Sequence, residues 1–563
     1  MTEPAPPGDL RLSGVEQGWP DGRADAWLRL FLTLGVVLRL ARIGLNHPIW
    51  RDEAFLLANL VERDLGGLAR PLDYGQVCPI FFLWAEEEAG RMFGIAEWSY
   101  RLIPTVASIV SLCLFRHLAG RLLKGEALVL AVAILAIGYT PIRHGGEIKP
   151  YSTDFLAALG LIALAVEWLR TPRQVGFLWA LAAIGPPALG LSNPAIFVAA
   201  SLGLVLASPV LRTRSIRAIL PWAVFAVGSA STFLVLLRLV NAPQGDNVMS
   251  WMQAYWANAF PPRSVVPLLG WLVRAHTSQM FAYPAGGDRG ASTLTSVLVL
   301  VAIVTYLRRG SRTVLAVLLA PFALGLAASA LRRYPYGGSA RTMQYVAPAI
   351  ILMAGLGASV LLSKLPRPGG RERAARLVLV AFLIAGFGMM AWDVSHPYKS
   401  LDDRISRDFA RRFWLEESRG AELACARSNL KLALNPLVWE SERAAFYLCY
   451  RAIEANRLGI PASPRLDRVG DSHPLRVVVF NEVPADAATV ARWIEENRGR
   501  FELRSRRERV LNPGRMQNKA SIEDRYVIYE LIPAHSPPGR PHHAPPHDAA
   551  SGRPRPRLSA FER

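Results

Sequence analysis

The chain has 563 residues, of which 52% are hydrophobic, and a formal net charge of +20. Apolar stretches of roughly 20 residues recur before residue 393; they exclude an ordinary soluble core and point to a polytopic helical membrane protein. Most of the positive charge is arginine spread over short inter-span loops, which topology alone produces, so no nucleic acid is expected as a partner.

Residues 1–24 are polar and contain Pro4, Pro6 and Pro7. They lack the short apolar core and small-residue cleavage site of a signal peptide, so they read as a disordered cytoplasmic N-terminus before a retained anchor. About eleven spans follow, near 25–45, 99–118, 126–142, 152–169, 176–191, 195–211, 218–240, 291–307, 313–331, 343–363 and 375–393. The pair between 176 and 211 is interrupted by Gly185-Pro186-Pro187 and Ser192-Asn193-Pro194. Residues 80–93 are too short and too acidic to cross comfortably, and read as an amphipathic helix lying on the membrane surface.

Loop charge sets the orientation. With the N-terminus cytoplasmic, the cytoplasmic loops hold Arg121 and Lys124, then Arg170 and Arg173, then Arg212, Arg214 and Arg217. Arg308, Arg309 and Arg312 come next, and finally Lys364, Arg367, Arg371, Arg373 and Arg376. Each loop is basic and nearly free of acid, as the positive-inside rule requires. The opposite face then carries 46–98, 143–151, the turn near 192–194, 241–290, 332–342 and everything after 393.

Residues 394–535 read as a small soluble α/β domain. Strands are expected at Arg476–Asn481 and Arg525–Ile532, and helices over 401–417 and 485–497. From 536 the chain is rich in Pro, His and Arg and reads as a disordered tail, with His542 and His543 solvated. No Walker A motif and no strand-to-helix GxGxxG occurs, so an ATP-driven pump is not expected. The cysteines at 78, 113, 425 and 449 form no CxxC and no zinc spacing. Cys113 reads as packing within a span, while Cys425 and Cys449 can pair if their domain is extracytoplasmic.

The outer face collects polar groups near the membrane. The first outer loop holds Arg51, Asp52 and Glu53, then Asp73, Tyr74 and Gln76; the second holds His144, Glu147, Lys149 and Tyr151. The loop before the tenth span holds Arg332, Arg333, Tyr334, Tyr336 and Arg341. A carboxylate base plus cations that neutralise a phosphate is the minimum kit for transferring a group off a lipid phosphate. Plainer roles fit too. Asp52-Glu53 opens an amphipathic helix expected over about 53–64, where an acid caps the N-terminus. Glu147 and Lys149 fit a solvated loop pair, and His47 and His144 read as structural or solvated rather than as metal ligands. Arg332, Arg333 and Arg341 run against the positive-inside trend, so topology does not explain them.

Four stretches carry a resemblance: WRDEAFLLANL at 50–60, PIFFLWAEEEAGRMFGIAEWSYRLIP at 79–104, EIKPYSTDFLAAL at 147–159 and YPYGGSARTMQYVAPAIILM at 334–353. Their order and placement resemble the GT-C membrane glycosyltransferases, in the branch of the protein O-mannosyltransferases and lipid A aminoarabinose transferases (glycosyltransferase family 39-like). The resemblance implies an α-helical polytopic membrane protein of GT-C type. It also implies inverting transfer of a sugar from a polyprenyl-phosphate donor to an extracytoplasmic lipid, glycan or protein acceptor. The place implied is the bacterial inner (plasma) membrane, with membrane lipid as a further partner. Asp52 takes the place of the general base, with Glu53 beside it and Glu147 shaping the same site. Lys149, Arg341, Arg332 and Arg333 are the candidates for the donor phosphate, and Tyr151, Tyr336 and Tyr345 for shaping the substrate site. No cofactor is certain from the sequence, and a divalent metal stays open.

Two departures matter. Aminoarabinose transferases place a basic residue shortly after the acidic pair, where this chain has Phe55, and a Lys before the proline that leads into the surface helix, where it has Cys78 before Pro79. The sugar and acceptor are therefore expected to differ from those of aminoarabinose transfer. The alternative reading is a transporter or flippase of a lipid-linked or amphipathic solute, which normally needs charges deep in its spans. Here Arg39 and Arg238 lie near span ends and are expected to snorkel. A third reading is a non-catalytic assembly protein whose C-terminal domain binds a partner.

Overall fold

A computed structural model of the chain describes residues 19, 21–245, 249–309, 312–365, 369–396, 401–412, 422–425, 439–460, 469–471, 473–480, 484–510, 516–517, 520–521 and 525–534. Every segment expected to span is helical there. The helices are Asp21–Gly44, Leu102–Leu122, Gly125–Ile137 with Tyr139–Gly145, Tyr151–Arg170, Gly176–Leu191 and Ala195–Arg212, then Ile216–Leu236, Thr293–Arg309, Arg312–Ala330, Ala347–Leu362 and Gly370–Ser395. Among the described residues, six helices are long and apolar enough to cross a membrane, or seven if the bent pair counts as one span. The expected eleven crossings therefore exceed what length and composition alone support. Gly176–Leu191 and Ala347–Leu362 are apolar but shorter, and the first helix carries Arg29, Arg39 and Arg42.

Ala347–Leu362 sits at the centre, buried almost all round, as its unbroken apolar sequence dictates. Gly355 permits its closest approach to Gly125–Ile137, because a Cβ there would lie 2.6 Å from the Ala131 Cα. Gly138 then bends the chain by 47° into Tyr139–Gly145. The bend frees helix-end carbonyls, and Arg39 satisfies them. Its Nη1 donates to Ala136 O at 3.2 Å, its Nη2 to Leu135 O at 3.2 Å and its Nε to Ser108 Oγ at 2.7 Å. Arg39 is buried, so it does not snorkel; it fastens three helices where one of them breaks.

At one end of the bundle lie the helix Arg51–Leu60 (the site helix) and the helix Ile80–Phe93 (the surface helix). The surface helix matches its expected bounds and exposes Phe81, Trp84, Met92 and Phe93, while Phe82, Leu83 and Glu86 are buried.

Among the described residues, the C-terminal part holds a four-stranded sheet, a short two-stranded one and three helices. The strands of the larger sheet are β1 (Glu422–Cys425), β2 (Leu475–Phe480), β3 (Phe501–Val510) and β4 (Arg525–Pro533), in the order β1-β2-β4-β3. β1 and β2 are parallel, joined through the helix Trp439–Leu458 (the docking helix), and β4 runs antiparallel to both β2 and β3. β2 reads as a continuous apolar run because both of its faces are covered. Val477 and Val479 join Val490 of the helix Pro484–Glu496 in one core. Val478, paired with Ile528, faces the other way into a core shared with the docking helix and the site helix. Helix Leu401–Arg412 agrees with expectation as far as residue 412. The expected continuation to 417, the tail from 536 and residues 1–18 lie outside the described residues. The first helix starts at Asp21, inside the stretch expected to be disordered. Cys449 carries a free thiol, and the Cys425 side chain lies outside the described residues.

Candidate active site

The site is built on one turn of backbone. The chain passes from extended to helical at Trp50 (φ −100°, ψ 167°), so Arg51, Asp52 and Glu53 form the first helical positions. The N–H groups of a first helical turn have no acceptor within the helix itself, and together with the helix dipole they favour acids there. Glu53 Oε2 accepts from the Trp50 N–H at 3.1 Å, the backward half of a capping box. The capping role expected of the acidic pair thus falls on Glu53.

Glu53 is buried at the centre of a knot. Arg101 donates to it through Nε at 3.1 Å and Nη2 at 2.7 Å, and the Ile148 N–H donates to it at 2.9 Å. Arg101 Nη1 also donates to His47 O at 2.6 Å. One carboxylate and one guanidinium therefore tie residues 47–53, the segment at Ile148 and the start of the helix Leu102–Leu122 together. Glu53 does not line the neighbouring cavity.

Asp52 points the other way, into that cavity, which has a volume of about 850 Å³. Its carboxylate forms an ion pair with Arg341, whose Nη2 donates to Tyr255 OH at 3.2 Å. Arg51 stands on the far side, with Nε 3.9 Å from Asp52 Oδ1. The Arg341 guanidinium lies 5.4 Å from the Trp256 ring centroid, within cation–π range. Burial lowers the Arg341 pKa, but Tyr151, Asp52 and Tyr255 more than offset this and hold it above its ordinary value.

Glu147 and Lys149 do not form the pair that their spacing suggests; each takes another partner. Glu147 accepts from Arg143 Nε at 2.7 Å, and both line the cavity. Lys149 Nζ donates to Gln76 Oε1 at 2.7 Å. Burial pushes the Lys149 ammonium below its ordinary pKa, against the pull of Asp52. The Cys78 thiol feels the Lys149 charge, and burial raises its own pKa. His144 also lines the cavity, its ring 4.7 Å from that of Tyr151.

The remaining candidates divide. Tyr151 stands beside the cavity-lining His144, near enough to Arg341 for their charges to interact, and so borders the site. Tyr336 and Tyr345 are buried behind it. The Tyr336 OH lies 3.0 Å from His276 Nε2, and Tyr345 packs in a ring cluster with Phe197 and Tyr334. Arg332 and Arg333 are exposed and do not line the cavity, and Arg332 stands 6.0 Å from the Phe260 ring. Sequence reasoning missed Arg143, Tyr139, Tyr255, Trp256 and Asp288, all of which line it. A signal existed for the last three: the loop 241–290 is long, and its segment WMQAYWANAF is dense in aromatics. Among the described residues, no group of three or more His, Cys, Asp or Glu side chains is placed to hold a metal ion.

No family model matches the chain, and no curated protein matches it either. Solved structures do. ArnT from Cupriavidus metallidurans bound to undecaprenyl phosphate superposes with a TM-score of 0.50 at 14% identity, covering 90% of this chain and 98% of that one. The same protein in the apo state gives 0.49 at 15% identity over the same shares. The apo oligosaccharyltransferase of Archaeoglobus fulgidus gives 0.44 at 12% identity, covering 81% of this chain and 66% of that one. The chain therefore shares its overall fold with that ArnT structure, a mostly helical architecture with apolar spans, and carries a small α/β unit at its C-terminal end.

Proposed function

We propose that the chain is an inverting glycosyltransferase that moves a sugar from a polyprenyl-phosphate donor to the hydroxyl of an acceptor. The observation that carries this reading is the Asp52–Arg341 ion pair at the cavity wall, with Lys149 close enough for its charge to be felt by both. Undecaprenyl phosphate bound to ArnT, on the same fold, supports a lipid-phosphate donor.

In this mechanism the acceptor hydroxyl attacks the anomeric carbon from the face opposite the phosphate. The bond from that carbon to the phosphate oxygen breaks, and the hydroxyl proton passes to Asp52. A carboxylate in that role contributes roughly 10²–10⁴ in rate. Negative charge builds on the departing phosphate, where Arg341 and Lys149 stabilise it most in a partly dried cavity. The donor phosphate competes with Asp52 for Arg341, and so frees the carboxylate to act as base. Lys149 rests on a neutral amide, so its charge is the more available to the phosphate. Arg143 and Glu147, mutually neutralised, shape the acceptor side.

The site end of the bundle is assigned to the extracytoplasmic face of the inner membrane, because the basic loops 121–124, 170–173 and 212–217 lie at the other ends of the same helices. The deciding experiment is lipid and glycan profiling of a deletion strain complemented with wild-type or Asp52→Asn protein. One prenyl-phosphate sugar should accumulate in the deletion strain and persist with the variant. A strain whose prenyl-phosphate sugars and glycans are unchanged would overturn the reading.

A further inference from the structure

The docking helix, Trp439–Leu458, belongs to the C-terminal unit, yet it packs on the site helix rather than on its own sheet alone. Two of its consecutive residues grip the backbone on either side of Asp52. The Tyr450 OH accepts from the Ile49 N–H at 3.1 Å, three residues before Asp52. Cys449 Sγ donates to Ala54 O at 3.4 Å, two residues after it. Both side chains are buried. Arg407 Nη1 donates to Asn46 O at 2.5 Å, and Asn456 Nδ2 to Ile95 O at 3.2 Å, which frames the same loop from further out. Ile49, Ala54, Phe55, Phe446, Tyr450 and Ile453 share one apolar core.

The consequence is mechanical. Ile49 precedes the helix, so its N–H has no partner in a helical ladder, and a buried N–H without an acceptor is costly. Tyr450 supplies that acceptor from another part of the fold. Glu53 fixes the next turn from within through Arg101, Trp50 and Ile148. Trp50, Arg51 and Asp52 lie between these two anchors and line the cavity, and Asp52 is the carboxylate among them. A carboxylate base must be held within a fraction of an ångström of its target, and such precision comes from supporting contacts.

We propose that Tyr450 is a positioning residue: the C-terminal unit, through the Tyr450 hydroxyl, sets the aim of Asp52 and so forms part of the active site. This rests on the glycosyl-transfer reading above. The Cys449 thiol, which burial keeps protonated, is the second grip and acts in the same direction.

The test uses the full-length protein in lipid nanodiscs. Tyr450→Phe keeps the ring and removes only the hydroxyl. Hydrogen exchange at residues 46–60 should quicken about five- to tenfold, the factor expected for one lost buried hydrogen bond, while other amides stay unchanged. With a prenyl-phosphate sugar, kcat should fall about tenfold at an unchanged donor KM, as for loss of an interaction made only in the transition state. Cys449→Ala should give a smaller change of the same kind, and Cys449→Ser, which restores a donor, should reverse it. The proposal is overturned if exchange at 46–60 is unchanged, if it quickens equally along the whole chain, or if kcat stays at the wild-type value. If the wild-type protein transfers no sugar, the functional reading fails by itself, while the exchange measurement, which needs no substrate, still decides whether Tyr450 anchors the loop.

Discussion

Two adjacent carboxylates should respond to the same substitution in opposite ways. Asp52 makes a half-buried ion pair: its side chain is 23% exposed and that of Arg341 22%. Such a pair adds at most about 1 kcal/mol to stability, and Arg341 keeps its bond to Tyr255 when Asp52 is neutralised. Asp52→Asn should therefore fold and melt like the wild type. Its transfer rate should drop by about 10²–10⁴, the loss expected for a general base, which is roughly 3–5 kcal/mol in barrier height. Glu53 is the reverse case. Its side chain is 1% exposed, that of Arg101 3%, and their closest contact is 2.7 Å. Glu53→Gln removes the hydrogen-bonded counter-charge from the buried Arg101, and breaking such a pair typically costs about 3–5 kcal/mol. The check is thermal unfolding of purified variants beside transfer of a labelled sugar from a prenyl-phosphate donor. A stable but inactive Glu53→Gln together with an unstable Asp52→Asn would refute the division of labour.

Three further outcomes follow from individual side chains. Arg341→Ala should lower kcat by about 10²–10³, and Arg341→Lys should not restore it, since the guanidinium serves Asp52 and Tyr255 in two directions at once. Lys149 has a folded pKa below its ordinary 10.5, so its ammonium is lost early as pH rises. Affinity for a prenyl phosphate, measured by titration, should fall through that window. Stability should rise there, because the unfolded chain then binds more protons than the folded one; Lys149→Arg should shift the fall in affinity to higher pH. Glu86 is buried with no hydrogen-bond partner among the described residues, and burial, then proximity to Glu53, raises its pKa well above 4.5. Folded protein then holds a proton that unfolded protein releases, so stability should decline as pH rises from about that value. Glu86→Gln should remove the decline and raise Tm at neutral pH; an unchanged pH profile would contradict this.

What the sequence made legible follows from where each signal resides. Apolar length is a local property, and the expected segments are helical even at Gly185-Pro186-Pro187, where the helix Gly176–Leu191 contains both prolines yet runs on, although it is shorter than a full span. The surface helix was found for the same reason. β3 was not, because FELRSRRERV buries only its first residue fully and shows no apolar alternation. The docking helix was missed because its inward face includes Arg451 and Glu454 alongside Tyr450, so the usual apolar stripe is broken. The polar site was legible as a set of loops but not as a set of pairs. Glu53 and Arg101 are 48 residues apart, and Asp52 and Arg341 are 289 apart; only the fold decides which cation meets which acid.

That pairing bears on the missing first-loop cations. Phe55 and Cys78 stand where the resemblance to aminoarabinose transferases leads one to expect basic residues, and neither supplies a cation. Phe55 instead stacks on Tyr74, with centroids 5.5 Å apart, and Cys78 is buried. The charge comes from elsewhere. The cavity wall carries Arg51, Arg143 and Arg341 against Asp52, Glu147 and Asp288, which leaves it balanced before any substrate arrives. Lys149, beneath that wall, donates to the uncharged Gln76. A phosphate drawn toward Lys149 meets a cation whose ionic attraction is not already spent on a hydrogen-bonded carboxylate. It also meets Arg341, which it must share with Asp52. In the proposed mechanism, binding and activation are coupled in one exchange: a donor that claims Arg341 releases Asp52 to deprotonate the acceptor. A chain with strong first-loop cations would bind the phosphate without disturbing Asp52. In this chain Lys149→Gln should therefore reduce kcat as well as donor affinity, whereas a lysine serving only as a distant anchor would affect KM alone.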